Sequence, residues 1–192
     1  DFSGPKWYPF PEEFFYKNEI KKNKNLNKIL VVQGGTDPHS NLKKILKSFK
    51  KKENFKYRLS ILTSNKRFEL QNKKHSSSIK NYRNVKNLAK FINSHNYVIT
   101  ACGNFCYEIN FFGIKCSYVT SEPREIKLGK FLQKKGFGKL FTKSNIDKLS
   151  EHIKKDIIKK KNRKDYTKKI SYFRHNGLEN IHKLIMKKSN EI

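Results

Sequence analysis

Short apolar runs alternate along the chain with stretches in which apolar residues recur every three or four positions. The first pattern is typical of buried strands, and the second is typical of helices that bury one face. Strands are predicted at residues 28–33, 57–62, 79–85, 97–102, 115–120 and 138–142. Helices are predicted at residues 40–50, 87–95, 104–112 and 124–135, from Ser144 or Asn145 to about residue 160, and at 163–188. Residues 64–75 fit either a polar helix or a loop.

This alternation predicts an α/β fold built on a parallel sheet. Parallel strands need a crossover connection, usually a helix, and such crossovers are right-handed. The helices then cover both faces of the sheet, which gives a doubly wound, Rossmann-like architecture. In such sheets ligands bind at the carboxyl ends of the strands, beside the strand-to-helix turns. These turns are therefore the places to search for functional residues.

The two ends of the chain differ in character from its middle. Residues 1–15 contain three of the five prolines and many aromatic residues without periodicity, and residues 21–28 are rich in Lys and Asn. We expect residues 1–27 to form an extended linker that lies over a surface. Residues 28–160 are expected to form the α/β domain, and residues 161–192 a C-terminal amphipathic helix.

The turn after the first predicted strand reads QGGTDPH, residues 33–39. Gly34 and Gly35 permit positive φ and close approach of a ligand to the backbone, while Thr36 and Asp37 can cap the next helix. Amides at the start of that helix favour an anion. The stretch is neither GxGxxG nor a P-loop, so it fits both a phosphate-binding turn and a well-capped loop. His39 is interpreted as a solvent-exposed side chain in the first helical turn.

The turn after the strand at 97–102 continues as CGNFCYE, residues 102–108. Gly103 opens the turn and Asn104 begins a helix, so its amides can hold a diphosphate. Glu108 lies one turn further along the same helix face. A carboxylate there can accept both hydroxyls of a ribose, although a solvated helix glutamate also fits. A phosphate-type turn followed by an acid one helical turn later favours a nucleotide site.

The charge of the chain changes this interpretation little. The 192 residues include 44 Lys and Arg against 16 Asp and Glu, a formal net charge of +28. Only six of the basic residues are Arg, whereas base and phosphate recognition in nucleic acids favours the Arg fork. The many lysines accompany many Asn and Ile residues, and all three have A/T-rich codons. We therefore do not expect a nucleic-acid partner, whereas an anionic substrate, a membrane surface or an acidic partner remains compatible with the charge.

Cysteine content and hydropathy exclude several other classes of protein. Cys102, Cys106 and Cys116 are an odd number of cysteines and do not suggest a disulfide framework. A zinc site needs about four ligands and no second pair is present, so we interpret them as buried thiols in a reducing cytoplasm. No metal site and no cofactor are expected. The longest apolar runs are far shorter than the roughly 20 residues of a transmembrane helix, so no membrane span is expected.

The order of these motifs resembles the C-terminal half of two-domain nucleotide-sugar enzymes with the GT-B fold. The motifs are GGTD at 34–37, ACGNFCYE at 101–108 and FFGIK at 111–115. The opening GPKWYPFPEEF, residues 4–14, is similar to the segment by which one such family passes from its first to its second domain. That family comprises the UDP-sugar hydrolase of pseudaminic acid biosynthesis and its relatives in spore-coat polysaccharide clusters. The likeness runs from about residue 4 to residue 142.

The resemblance implies a set of substrate-binding residues. Gly34, Gly35, Thr36 and Asp37 would line an interdomain cleft near the sugar diphosphate. Gly103 and Asn104 would contact the diphosphate, and Glu108 the ribose. The uracil would lie near the 83–88 loop, held by backbone groups around Val85, Asn87 and Leu88.

The chain also departs from that family. Asn104 replaces a common Ser or Thr, and SEPRE, residues 121–125, replaces an Asn-Gln pair. Pro123 and Arg124 therefore change the expected contacts on the sugar side. The first domain of the family, which carries a catalytic histidine, has no counterpart in these residues, so no catalytic residue is assigned.

The resemblance implies a function in surface-glycan, nonulosonic acid, biosynthesis. We expect the UDP-sugar-binding domain of a hydrolase, in which water attacks the anomeric carbon and UDP leaves. The alternative is the donor-binding domain of a GT-B glycosyltransferase, which delivers the sugar to an acceptor hydroxyl. A binding module that has lost catalysis is a third class. The expected partners are a UDP-sugar and the N-terminal domain of the same fold.

Overall fold

A computed structural model describes residues 4–16, 27–34, 37, 39–50, 57–64, 78–158 and 170–189. In these ranges six strands form one sheet: β1 (Asn27–Val32), β2 (Tyr57–Leu62), β3 (Ile79–Tyr82), β4 (Tyr97–Thr100), β5 (Lys115–Val119) and β6 (Lys139–Phe141). Six α-helices accompany them among the described residues: α1 (Asn41–Lys50), α2 (Leu88–Asn93), α3 (Phe105–Phe111), α4 (Pro123–Lys134), α5 (Leu149–Ile158) and α6 (Gly177–Ser189). Every predicted strand is therefore present.

All neighbouring strands in the sheet are parallel, and their order is β3-β2-β1-β4-β5-β6. The chain builds outward from β1 to β3, then returns to pair β4 with β1 and continues outward to β6. The order of the strands therefore reverses between β1 and β4, as in a doubly wound Rossmann-like sheet. The predicted α/β fold class is confirmed.

Alternate residues of each central strand face two separate cores. In β1, Ile29 and Val31 pack in the core under α1 and α5, whereas Leu30 and Val32 pack in the core on the other face. A strand that is buried on both faces must be apolar at every position, which explains the continuous ILVV run.

The N-terminal segment corrects one expectation. Residues 4–16 are not simply extended over a surface, because they form two 3₁₀ turns, Pro5–Trp7 and Glu12–Phe14. Phe10 and Phe14 are each only 2% exposed and belong to the core beside α3. The ring centroid of Phe10 lies 4.8 Å from that of Phe111. The segment is thus part of the folded domain.

The C-terminal region corrects a second expectation. A single helix over 163–188 is wrong in its described part, since residues 171–176 form turns and irregular structure and α6 begins at Gly177. The side chain of Phe173, within this irregular stretch, is fully buried. Asn176 then starts a new helix, because its Oδ1 accepts a hydrogen bond from the Glu179 amide at 3.2 Å.

One other predicted helix differs from the structure, and several predictions concern residues that are not described. The helix expected from Ser144 or Asn145 is a 3₁₀ turn, Ile146–Lys148, followed by α5. The assignments at residues 65–75, 21–26 and 163–169 lie outside the described residues. No helix within the described ranges is both long and apolar enough to cross a membrane.

Candidate nucleotide-sugar site

A cavity of about 690 Å³ opens at the carboxyl edge of the sheet, above the point where the strand order reverses. Its size is typical of pockets that hold a small ligand. Segments that follow β1, β2, β3 and β4 all contribute to its wall. The lining residues are Val32, Gln33, Gly34, Leu62, Thr63, Ser64, Arg83, Asn84, Val85, Leu88, Thr100, Ala101, Gly103, Asn104, Phe105 and Glu125.

The turn after β1 contributes Gly34 to this cavity. Its φ is 71°, in the left-handed region that favours glycine, and beyond its chain neighbours no atom of the described residues lies within 4 Å of the position that a Cβ would occupy. Gly35 and Thr36, the next predicted site residues, lie outside the described residues.

Asp37 has a structural role at the start of α1. Its two carboxylate oxygens accept hydrogen bonds from the amides of Asn41 and Leu42 at 2.8 and 2.9 Å. Burial raises the pKa of this carboxyl, and the two amide bonds act in the opposite direction. Asp37 therefore confirms the predicted helix cap, and these two amides are already occupied. Asp37 does not line the cavity, so its contact with a ligand stays a prediction.

The turn after β4 places Gly103 and Asn104 side by side in the cavity wall. A Cβ on Gly103 would lie 3.8 Å from Oε1 of Glu125, an ordinary van der Waals distance. Glu125 itself accepts a hydrogen bond from the Thr120 hydroxyl. The end of β5 is thus joined to the same wall through α4.

Glu108 lies one turn beyond Asn104 in α3, and its side chain contacts the N-terminal segment. The hydroxyl of Tyr8 donates to Glu108 Oε1 at 2.6 Å. The other oxygen, Oε2, is buried and has no hydrogen-bond partner among the described residues. Burial raises the pKa of Glu108, and the bond from Tyr8 lowers it. Glu108 is not part of the cavity wall described above.

The loop before α2 forms the opposite side of the cavity. Val85 and Leu88 line it, as predicted for the base, together with Arg83 and Asn84. Asn87 instead caps α2, because its Oδ1 accepts from the Lys90 amide at 2.6 Å. Arg83 and Glu125 are the charged residues of the cavity wall in the described part of the chain.

The loops that follow β1 and β5 meet near this edge of the sheet. His39 pairs with Glu122, and the Ser121 hydroxyl donates to Oδ1 of Asn41 at 3.2 Å. The sequence indicated an exposed His39 and did not predict this partner. The SEPRE segment, residues 121–125, therefore contacts the loop between β1 and α1.

The three cysteines are buried and free. Burial raises the pKa of all three thiols, so they are poor nucleophiles. Within the described ranges, no group of three or more His, Cys, Asp or Glu side chains is placed to hold a metal ion.

Of the ten predicted site residues, the structure brings five together in the cavity wall: Gly34, Val85, Leu88, Gly103 and Asn104. Asp37, Asn87 and Glu108 lie on neighbouring turns outside that wall. The sequence reasoning named the 83–88 loop without singling out Arg83, and it missed Thr63, Ser64 and Glu125. Thr63 and Ser64 follow the predicted strand at 57–62, so the rule that ligands bind at the carboxyl ends of strands would have found them.

No protein-family model matches the chain. An uncharacterized protein of Methanocaldococcus jannaschii is 32% identical over 124 residues, which are 59% of this chain and 25% of that protein. The chain therefore spans about a quarter of the length of this relative.

Solved structures define the fold. The kitacinnamycin glycosyltransferase superposes with a TM-score of 0.67 and 12% identity, over 90% of this chain and 46% of that one. The glycosyltransferase VinC in complex with dTDP superposes with a TM-score of 0.65 and 10% identity, over 92% of this chain and 43% of that one. The chain has the fold of one Rossmann-like half of a GT-B glycosyltransferase. MurG of Acinetobacter baumannii also superposes on the chain, with a TM-score of 0.59 and 17% identity, over 86% of this chain and 51% of that one. The chain spans about half the length of these structures.

Proposed function

We propose that this chain is the donor-binding half of a GT-B glycosyltransferase that uses a nucleotide-sugar. The observation that carries the proposal is the cavity at the carboxyl edge, above the reversal between β1 and β4. Nucleotide ligands occupy this position in doubly wound sheets. The structural neighbours named as glycosyltransferases support this function over hydrolysis, which the motifs alone favoured.

Each wall of the cavity has a role in this proposal. The backbone at Gly34, Gly103 and Asn104 lies close enough to the cavity to contact a diphosphate without a side chain in between. Val85 and Leu88 offer an apolar surface to the base. Glu125 lies where the sugar would meet the end of β5. Glu108 lies outside this wall, one helical turn beyond Asn104, and its contact with the ribose stays a prediction from the sequence. The chain thus binds the donor and stabilises the diphosphate as a leaving group by fixed polar groups.

The acceptor and the catalytic base come from the remainder of the protein in this proposal. The chain spans about half of its structural neighbours, and a second domain would close over the cavity. Gly35, Thr36 and Asp37 would then lie on the side of the cleft nearest the sugar.

A UDP-sugar hydrolase is the second candidate, because the motif order from residue 4 to residue 142 resembles that family. The two reactions differ in the acceptor. If the full-length protein releases UDP from a donor only when an acceptor alcohol is added, it is a transferase. Release in water alone at the same rate supports the hydrolase.

Calorimetric titration tests donor binding directly. We expect saturable binding of UDP or dTDP, and much weaker binding of CMP and NAD. Glu108→Ala should weaken UDP binding about tenfold, the effect of losing a hydrogen bond to a charged group. Glu151→Ala is a matched control, because Glu151 is a half-exposed residue of α5 that pairs with Lys155 and does not line the cavity.

Two outcomes would contradict the proposal. Equal UDP affinity in the wild type and Glu108→Ala would remove the ribose role of Glu108. Absence of any nucleoside diphosphate binding by the full-length protein would remove the donor-binding function itself.

A further inference from the structure

Glu125 is the negatively charged residue of the cavity wall in the described part of the chain. It lies in the first turn of α4, and its side chain is half-buried. Although the chain has 44 basic residues, Glu125 forms no ion pair with any described one. A carboxylate in a cavity proposed to hold a diphosphate requires an explanation, because like charges repel at short range.

The carboxylate of Glu125 is held from the end of β5. The hydroxyl of Thr120 donates a hydrogen bond to its Oε2, and Thr120 is only 1% exposed. The amide of Glu122 donates to the same Thr120 oxygen at 3.4 Å. The other oxygen of Glu125, Oε1, has no hydrogen-bond donor among the described residues. Oε1 is therefore the oxygen that a ligand in the cavity can contact.

Oε1 lies beside the turn where the diphosphate is proposed to bind. It is 3.8 Å from the position that a Cβ on Gly103 would occupy, and Gly103 and Glu125 both line the cavity. In a nucleotide-sugar, the sugar atoms nearest to the diphosphate are the anomeric carbon and the substituent on the adjacent carbon, C2. Glu125 is thus placed to contact the C2 substituent rather than the far end of the sugar.

We propose that Glu125 selects donors whose sugar carries a free amino group at C2. An ammonium group there pairs with Oε1 and also offsets the repulsion between the carboxylate and the diphosphate. A hydroxyl at C2 donates a hydrogen bond but leaves the repulsion in place, and an acetamido group is uncharged and larger. This inference rests on the proposed function and names the class of donor, the nucleoside diphosphates of 2-amino-2-deoxy sugars.

Three donors that differ only at C2 of the sugar test this choice: UDP-glucosamine, UDP-glucose and UDP-N-acetylglucosamine. Calorimetric titration of the full-length protein measures each affinity, with EDTA present so that no divalent cation replaces the charge of the amine. The amine is largely protonated at about pH 6. We expect UDP-glucosamine to bind about tenfold more tightly than the other two, the effect of a hydrogen bond between charged groups. If the protein binds dTDP and not UDP, the dTDP forms of the same sugars are used.

Glu125→Gln removes the charge and keeps the size of the side chain and an acceptor for Thr120. In this variant the three donors should bind within about twofold of one another, because the charged pair is lost. UDP itself should bind about threefold more tightly than it does to the wild type, because the repulsion of the diphosphate is gone. A structural defect would weaken binding, so this gain distinguishes a direct role of the charge from a structural one.

Glu151→Gln is the matched control. Glu151 lies in α5, pairs with Lys155 and does not line the cavity. The same change of charge at this position should leave the order of the three donors and the affinity for UDP unchanged. Thermal unfolding of each variant checks that it is folded.

The outcomes separate this inference from the proposed function. A wild-type protein that binds the three donors equally, or that prefers UDP-glucose or UDP-N-acetylglucosamine, overturns the role of Glu125 and leaves donor binding intact. A preference for UDP-glucosamine that persists in Glu125→Gln has the same meaning. A full-length protein that binds neither UDP nor dTDP nor their sugars overturns the proposed function, and the inference falls with it.

Discussion

At the scale of single residues, Gly103 offers the most direct test of the cavity. Among the described residues, its Cβ would meet only Glu125 Oε1, at 3.8 Å, so Gly103→Ala has room in this part of the protein. The added methyl group would occupy the cavity wall where the diphosphate is proposed to lie. We expect the midpoint of thermal unfolding to stay nearly unchanged, and UDP affinity measured by calorimetry to fall about tenfold, or about 1.4 kcal/mol.

Gly34 provides the contrasting variant. A Cβ there meets no atom of the described residues within 4 Å apart from its chain neighbours, but φ is 71°. Gly34→Ala should therefore cost about 1 to 2 kcal/mol of unfolding free energy through backbone conformation. If Gly103→Ala lowered stability as much as Gly34→Ala and left UDP affinity intact, the proposed position of the diphosphate would be wrong.

At the scale of elements, the N-terminal segment and α6 support each other. A Cβ on Gly177 would lie 2.2 Å from the carbonyl oxygen and 2.5 Å from the carbonyl carbon of Tyr8. Backbone atoms cannot move aside cheaply, so Gly177→Ala should lower the unfolding free energy by about 1 to 3 kcal/mol. Denaturant unfolding measures this loss.

The fluorescence of Trp7 reports the same change locally. Trp7 is the single tryptophan of the chain, and its carbonyl carbon would lie 2.8 Å from the new methyl group. We expect its emission to shift to longer wavelength in Gly177→Ala, while Gly103→Ala keeps the wild-type emission. Unchanged emission and stability in Gly177→Ala would mean that the segment does not pack on α6.

The elements of the sheet could be predicted because their signal is local. A run such as ILVV at 29–32 is apolar at every position only where both faces are buried, and helices between such runs force parallel pairing. The packing of residues 4–16 could not be predicted in this way. Phe10 and Phe14 find their partners in α3, about 100 positions away, and no periodicity in the sequence reports such contacts.

The site was predictable to the extent that its residues follow strands. Gly103 and Asn104 lie at the carboxyl end of β4, as does Gly34 at that of β1. Glu108 was found by helical spacing, but its bond to Tyr8 depends on the fold of a distant segment. The capping role of Asp37 competes with the ligand role that was predicted for it, because the same short polar side chain suits both. Asn87 was predicted to contribute backbone groups, and its side chain caps α2.

At the scale of the whole molecule, the net charge of +28 acts on stability and on binding in opposite directions. Like charges repel one another in the compact state, and an anionic ligand is drawn toward it. Salt screens both effects, with a Debye length of about 10 Å at 0.1 M. Raising NaCl from 20 to 200 mM should therefore raise the midpoint of thermal unfolding. It should also slow the association of UDP, which stopped-flow fluorescence measures.

Uridine serves as the control that distinguishes long-range electrostatic attraction of the ligand from its local contacts in the cavity. It carries the same base and ribose as UDP without the phosphates, so its association rate should not change with salt. The dissociation rate of UDP should change less than its association rate, because steering acts on the encounter. An association rate of UDP that stays constant across this range of salt would mean that the 44 basic residues create no field at the cavity.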